Sequence, residues 1–458
     1  MRIHILGICG TFMGGIALLA RGLGHNVTGS DVNVYPPMSD ALQAAGIPIC
    51  IGYDAKNIDP KTDCVIIGNG VKRNNVCVDF ILNQRLHFIS GPQWIYENVL
   101  RDQHVLAVSG THGKTTTTAL LTWILEVAQF NPGFLIGGVP KNFDNTSRLG
   151  GGKYFVIEAD EYDTLFCDKR AKFMHYHPTT FIINNIEYDH ADIFPDIEAI
   201  KLQFQYGLRC VPSNGTVIFP ATDANVADVI ARGCWGNKII TGDNNAWHAM
   251  LQKTDGSVFD VYYQNEKRAT IQWQLIGQHN VMNALAAIAA ADSIGASVSA
   301  IEKAFATFQN VKRRLEVRGC VNNITVYDDF AHHPTAIATT IDGLRKQVGQ
   351  ARIIAIAEFG SNTMRAGAHK EALGPAFSQA SIVHVLCPED KSWDVMSMLV
   401  AVRDRAFAHD SVSDIINTVA TQAKPGDHVL VMSNKSFGGI HQKLLDAFHV
   451  NISSGIAS

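Results

Sequence analysis

Short apolar runs separated by stretches of helical spacing organise most of this chain. The first run, Arg2-Ile3-His4-Ile5-Leu6, is followed by Asn26-Val27-Thr28-Gly29 and Cys64-Val65-Ile66-Ile67, with helical patterns between them. Strands that alternate with helices predict a parallel sheet, because parallel neighbours need a crossover that a helix supplies. The theme returns at His104-Val105-Leu106-Ala107-Val108, Tyr154-Phe155-Val156-Ile157 and Thr180-Phe181-Ile182-Ile183. Residues 247–275 instead read as short alternating strands, the signature of a small antiparallel addition. A helical stretch over 280–308 closes this region. The remainder resumes α/β alternation at Ile324–Tyr327, Arg352–Ile356, Ile382–Leu386 and His428–Met432.

Length turns this pattern into a domain expectation. At about 150 residues per domain, 458 residues correspond to roughly three. The expected fold is α/β, with Rossmann-like units over 1–103 and 312–458 flanking a P-loop ATPase-like unit over 104–311. Hydrophobic content of 47% with 17% charged residues describes a globular chain. A net charge of −4 gives no basic footprint, so no nucleic-acid partner is expected. The nine cysteines contain no C-x-x-C pair, which points to reduced thiols and a cytoplasmic setting. The first residues form a strand rather than a signal-peptide layout, and no apolar run is long enough for membrane insertion.

The most specific chemistry lies at Gly110-Thr111-His112-Gly113-Lys114-Thr115-Thr116, between a strand and the helical pattern from Ala119. Backbone N–H groups there can cradle phosphates, Lys114 can reach the outer ones, and the Thr115 hydroxyl can hold Mg²⁺. The usual loop places a Gly at position 108, which is Val here, so this loop is a compact variant. Glu158-Ala159-Asp160-Glu161-Tyr162-Asp163 follows a strand in the same unit, where acids are well placed to ligate Mg²⁺; the alternative is a solvated acidic loop. After the next strand, His190 ends a similar run and is either a second metal ligand or a surface histidine.

Other motifs carry weaker signals. Gly7-Ile8-Cys9-Gly10-Thr11-Phe12-Met13-Gly14-Gly15 departs from G-x-G-x-x-G, yet its glycines permit either pyrophosphate approach or simple helix–strand packing. Asp31, after the next strand, can meet a ribose or base. Asn280 and Asn283 share a helical face and suit adenine, or else cap the helix. Arg314, in Lys312-Arg313-Arg314, sits at a domain junction from which it can reach a phosphate on closure. Tyr327-Asp328-Asp329-Phe330-Ala331-His332-His333-Pro334 puts acids and histidines at a strand's carboxyl end, suited to ribose and substrate contacts; taken alone, a helix cap with surface histidines is the better explanation.

Taken in order, these motifs resemble the Mur ligase family across the whole chain. That family joins amino acids or peptides to a UDP-sugar acid using ATP. Asp-Asp-Phe-Ala-His-His-Pro is similar to the branch that uses UDP-N-acetylmuramate. The segments Gly10–Gly15, Val34–Ser39, Ser90–Trp94, Glu158–Asp163, Ser361–Met364 and Phe437–Lys443 narrow the resemblance to attachment of the tripeptide L-Ala-γ-D-Glu-meso-diaminopimelate. The alternative is attachment of free L-alanine. The resemblance implies a UDP-sugar site at Gly7, Gly10, Thr11, Phe12, Met13, Gly14 and Asp31. ATP would meet Gly110, Thr111, His112, Gly113, Lys114, Thr115, Thr116, Asn280, Asn283, Arg314 and Asp329, the last at its ribose. Mg²⁺ would be held by Thr115 and Glu158, with a second ion on Glu158 and His190. Lys114, His190, Arg314, His332 and His333 would carry catalysis. Where the family pattern has Glu-Pro-Arg-Ser-Asn-Thr-Met, this chain reads Glu358-Phe359-Gly360-Ser361-Asn362-Thr363-Met364. An Arg able to grip a peptide carboxylate is absent, leaving Arg365 or Lys370 as substitutes.

Two readings from other classes compete. One is a nicotinamide-dependent oxidoreductase built on the N-terminal turn, against which the glycine spacing and the separate phosphate loop both count. The other is a nucleotide-driven switch with no small-molecule product, which phosphate release dependent on both a UDP-sugar and an amine would exclude.

Overall fold

The computed structural model describes residues 1–359, 364, 369–388 and 394–455. Gly360, Ser361, Asn362, Thr363 and Arg365 lie outside the described residues. Lys370 is described, and is exposed at the start of the helix Lys370–Ala376.

Among the described residues, three large sheets organise the chain. The first is wholly parallel, in the order Ile49–Ile51, Asn26–Asp31, Arg2–Leu6, Cys64–Ile67, Phe88–Ser90. This order reverses at the first strand, so the Gly7–Gly15 turn lies at the switch point where α/β sheets bind ligands. The central sheet has ten strands. Its parallel heart runs Asn237–Thr241, Thr216–Pro220, Thr180–Ile183, His104–Ser109, Tyr154–Glu158, Gly133–Leu135. The third sheet has six strands, with Glu316–Val321 antiparallel at one edge and Ile324–Asp329, His428–Met432, Ile353–Glu358, Ile382–Leu386 and Ala406–His409 parallel.

The expected antiparallel strands are Trp247–Leu251, Val258–Tyr263 and Glu266–Gln272. They continue the central sheet through a pairing of Thr241 with Trp247. The helical stretch over 280–308 is two helices, Gln278–Ser293 and Val298–Thr307. Gly295 separates them at φ +90°, a conformation that side-chain-bearing residues rarely adopt.

One continuous apolar cluster joins the first sheet's helices to the central sheet, running from Ile3, Ile16 and Trp94 to Leu135, Phe155 and Phe173. Helix Thr11–Gly22 packs against the central sheet's edge, where Ser147 Oγ donates to the Gly15 carbonyl at 2.9 Å. The C-terminal sheet instead has its own apolar layers on its two faces. No helix among the described residues is long and apolar enough to cross a membrane.

Candidate active site

Strand His104–Ser109 delivers the phosphate loop to the N-terminus of helix Lys114–Val127. Gly110 and Gly113 have φ of +129° and +79°, which a side chain would strain. They are also crowded. A Cβ on Gly113 would lie 2.2 Å from Asn283 Oδ1, and one on Gly110 would lie 3.0 Å from the Asn185 nitrogen. Thr111 is tied to Glu187, whose N–H donates to Thr111 Oγ1 at 2.8 Å, and the His112 N–H donates to Asn185 Oδ1 at 2.8 Å. Thr116 is buried in the first turn of the helix. The loop is thus fixed by neighbouring strand ends rather than by its own sequence alone.

Lys114 Nζ donates to the Gly110 carbonyl at 2.7 Å and to Glu161 at 2.9 Å, with Asp160 at 3.7 Å. Burial alone would lower the Lys114 pKa, but Glu161 and Asp160 hold it above the ordinary lysine value. Thr115 Oγ1 donates to Glu158 at 2.9 Å, and the Gly137 N–H holds the other Glu158 oxygen at 2.7 Å. Burial, and then Asp160, raise the Glu158 pKa. Asp160 is pulled the other way, to about 2; burial opposes this, but Lys172 and Lys114 prevail. A buried hydroxyl beside a buried carboxylate is an oxygen donor set that fits Mg²⁺.

His190 reaches the same acidic run. Its Nε2 lies 3.3 Å from Glu161, which is the carboxylate that also holds Lys114. Glu161 and Asp160 belong to the acidic motif visible in the sequence, but their pairing with Lys114 was not legible there. Lys172 was missed altogether. It is buried, twelve positions beyond Asp160, and donates to that carboxylate at 2.9 Å. The Lys172 ammonium also lies 4.5 Å from the Phe12 ring centroid and 4.3 Å from that of Tyr162. Lys201, farther along the chain, pairs with Glu198 and Asp228 instead.

Asn280 and Asn283 do not cap their helix, whose N-cap is Gly277 without a side-chain bond. Asn280 Nδ2 donates to the Ile276 carbonyl at 2.7 Å, and Asn283 Oδ1 accepts from Asn184 at 3.4 Å beside Gly113. In the N-terminal turn, Gly7 has φ +79° and its N–H donates to the Ser30 carbonyl at 2.8 Å. Asp31 is buried and accepts from the Cys9 N–H at 2.8 Å and the Asn33 N–H at 3.0 Å, so it shapes the turn itself. Gly10 precedes helix Thr11–Gly22, which begins with Thr11, Phe12 and Met13; a Cβ on Gly14 would meet Met38 at 2.1 Å.

The C-terminal unit contacts the phosphate loop directly. Arg314 donates to Thr115 Oγ1 at 3.2 Å, and its guanidinium lies 5.1 Å from the Phe330 ring centroid. Asp329 accepts from the Leu315 and Ala331 N–H groups at 2.7 and 2.8 Å, anchoring the segment that carries Arg314. Thr335 Oγ1 donates to Glu187 at 2.7 Å. His332 Nδ1 meets the Phe330 carbonyl at 2.9 Å, and buried His333 caps helix Pro334–Val348. Burial lowers both histidines, His333 to about 3 with help from His112 and His369. Glu187, within the second acidic run that ends at His190, links these groups to the loop.

Comparison with known proteins supplies the family. Residues 2–102 match the profile "Mur ligase family, catalytic domain", 108–291 "Mur ligase middle domain", and 313–435 "Mur ligase, glutamate ligase domain". The chain is 52% identical over 447 residues to the UDP-N-acetylmuramate–L-alanyl-γ-D-glutamyl-meso-2,6-diaminoheptandioate ligase of Escherichia coli K12, covering 97% of this chain and 98% of that one. It is 33% identical to the UDP-N-acetylmuramate–L-alanine ligase of Endomicrobium trichonymphae, covering 84% of each. A crystal structure of a murein peptide ligase from Psychrobacter arcticus 273-4 superposes with a TM-score of 0.75 at 46% identity, covering 98% of both chains. With matched segments in the same order as the sheets and a relative above half identity along nearly its whole length, the chain belongs to the Mur ligase family.

Proposed function

We propose that this protein uses ATP to join L-Ala-γ-D-Glu-meso-diaminopimelate to UDP-N-acetylmuramate, returning a cell-wall tripeptide to use in the cytoplasm. The observation that carries the chemistry is the meeting of Lys114, the Thr115–Glu158 pair and Arg314 at one helix N-terminus. The fall from 52% to 33% identity between the tripeptide ligase and the alanine ligase supports the longer acceptor. Residues 1–103 would bind the UDP-sugar at the Gly7–Gly14 turn, 104–311 ATP, and 312–458 the peptide.

In the first step, a lactyl carboxylate oxygen attacks the γ-phosphorus and ADP leaves. The nucleophile is already ionised, so the protein's task is to offset charge repulsion and hold the reactants in line. Lys114 would serve the β- and γ-phosphates and Arg314 the γ-phosphate, with adenine beside Asn280 and Asn283 and the ribose near Asp329. Mg²⁺ on Thr115 and Glu158 supplies further neutralisation of phosphate charge; a second ion would draw on Glu158 and His190. In the second step, the peptide amine attacks the acyl carbonyl and inorganic phosphate leaves. The amine must first lose a proton. His332 and His333 are the candidate acceptors on this chain; burial lowers both, His333 to about 3. Contact of the C-terminal unit with the loop excludes water that would hydrolyse the acyl phosphate.

Assaying phosphate release with UDP-N-acetylmuramate and either tripeptide or L-alanine tests the reading. Release should require both the sugar acid and the peptide. A preference for free alanine would overturn the acceptor assignment, and release without any amine would overturn the ligase reading.

A further inference from the structure

We propose that His112, Glu187 and His333 form a binding site for a divalent transition-metal cation of the zinc type, clamping the C-terminal unit onto the phosphate loop. One nitrogen of each imidazole and one Glu187 oxygen all lie within 4.8 Å of one another. Glu187 Oε2 is 3.5 Å from His112 Nε2 and 3.5 Å from His333 Nδ1. Ligand atoms about 2.0–2.1 Å from a tetrahedral zinc are separated by roughly 3.4 Å. Two of the three edges therefore stand near the required length, and the third, between the imidazoles, lies within 4.8 Å.

His112 Nε2 is buried and lacks a hydrogen-bond partner, and leaving such a group unpaired costs about 1–3 kcal/mol, which binding through it would relieve. His333, only 5% exposed, offers Nδ1, whose bond from the Thr335 N–H is a long 3.3 Å and would give way to a cation.

The donor set separates this site from the one at Thr115 and Glu158. Two imidazoles and one carboxylate suit zinc, whereas Mg²⁺ prefers oxygen ligands and keeps its waters. The ligands also span two units. His112 belongs to the phosphate loop, Glu187 follows strand Thr180–Ile183, and His333 opens the C-terminal helix Pro334–Val348. A bound cation would hold these together and oppose reopening between turnovers. That consequence for catalysis rests on the proposed ligase reading, whereas cation binding does not.

The test titrates ZnCl₂ into the full-length protein in excess Mg²⁺ without nucleotide, followed by calorimetry, with Co²⁺ substitution as a spectroscopic check. One equivalent should bind. Glu187→Gln and His333→Ala should each weaken it by more than about tenfold, with unchanged circular dichroism. The Co²⁺ spectrum should show nitrogen and oxygen ligands without thiolate bands. No stoichiometric binding, undiminished binding in both variants, or thiolate ligation through an exposed cysteine such as Cys167 or Cys320 would each overturn the proposal. No substrate is present, so the result is independent of which acceptor the enzyme uses.

Discussion

Lys114 illustrates how a single side chain can be legible in sequence while its setting is not. Gly-Lys-Thr between a strand and a helix predicts its role, but its partners Glu161 and Asp160 come from a strand end more than forty positions away. An arriving phosphate must compete with those carboxylates. Lys114→Ala should abolish ligation while UDP-sugar affinity, measured by calorimetry, stays largely intact; near-normal turnover would remove Lys114 from the mechanism. His4 offers a prediction of a different kind. It is buried between Thr28 and Ser30, and burial lowers its pKa from 6.5 to about 4. The folded protein therefore binds fewer protons than the unfolded chain in this window, so stability falls as pH drops below 6.5 and levels off below about 4. Acidifying from about pH 7 to about pH 5 should cost about 2 kcal/mol from this group. Urea unfolding at both values, with His4→Gln as the control lacking this dependence, checks the sign.

At the scale of elements, the period of the apolar pattern located the central strands well. Thr180–Ile183 and Ile382–Leu386 fall where expected because buried parallel strands are continuous apolar runs. Edge strands such as Glu316–Val321, with a half-exposed pattern, carry too few apolar positions to stand out. Asn237–Thr241 is similarly exposed although it lies within the sheet. Nor does period alone reveal that the antiparallel strands continue the central sheet, since the joining contact is a single pairing at Thr241. The phosphate loop shows what a local motif leaves out. Its second glycine is required by φ and by the approach of Asn283, a residue in a distant helix. Gly113→Ala combines about 1–2 kcal/mol of backbone strain with that clash. ATP affinity should fall by about tenfold or more, and equilibrium nucleotide binding that matches the parent would contradict this account.

Across the whole molecule, function depends on contacts between units that no sequence motif encodes. Lys172 joins the Gly7–Gly15 turn, proposed to bind the UDP-sugar, to the Glu158–Asp163 acids through Phe12 and Asp160. A double-mutant cycle of Phe12→Leu and Lys172→Met should give a coupling of about 0.5–2 kcal/mol in UDP-sugar binding, and additive effects would dissolve the link. Arg314 was legible as a junction arginine, but its arrival at Thr115 goes with Asp329 holding the backbone N–H of the next residue, Leu315. The apolar layer that runs unbroken from the first sheet into the central one has a calorimetric consequence. Two of the three units should share a melting event, while the C-terminal unit, with its own layers, should absorb heat separately. A thermogram should therefore resolve two endotherms, and saturating ATP should draw them together by tying the independent unit to its neighbours.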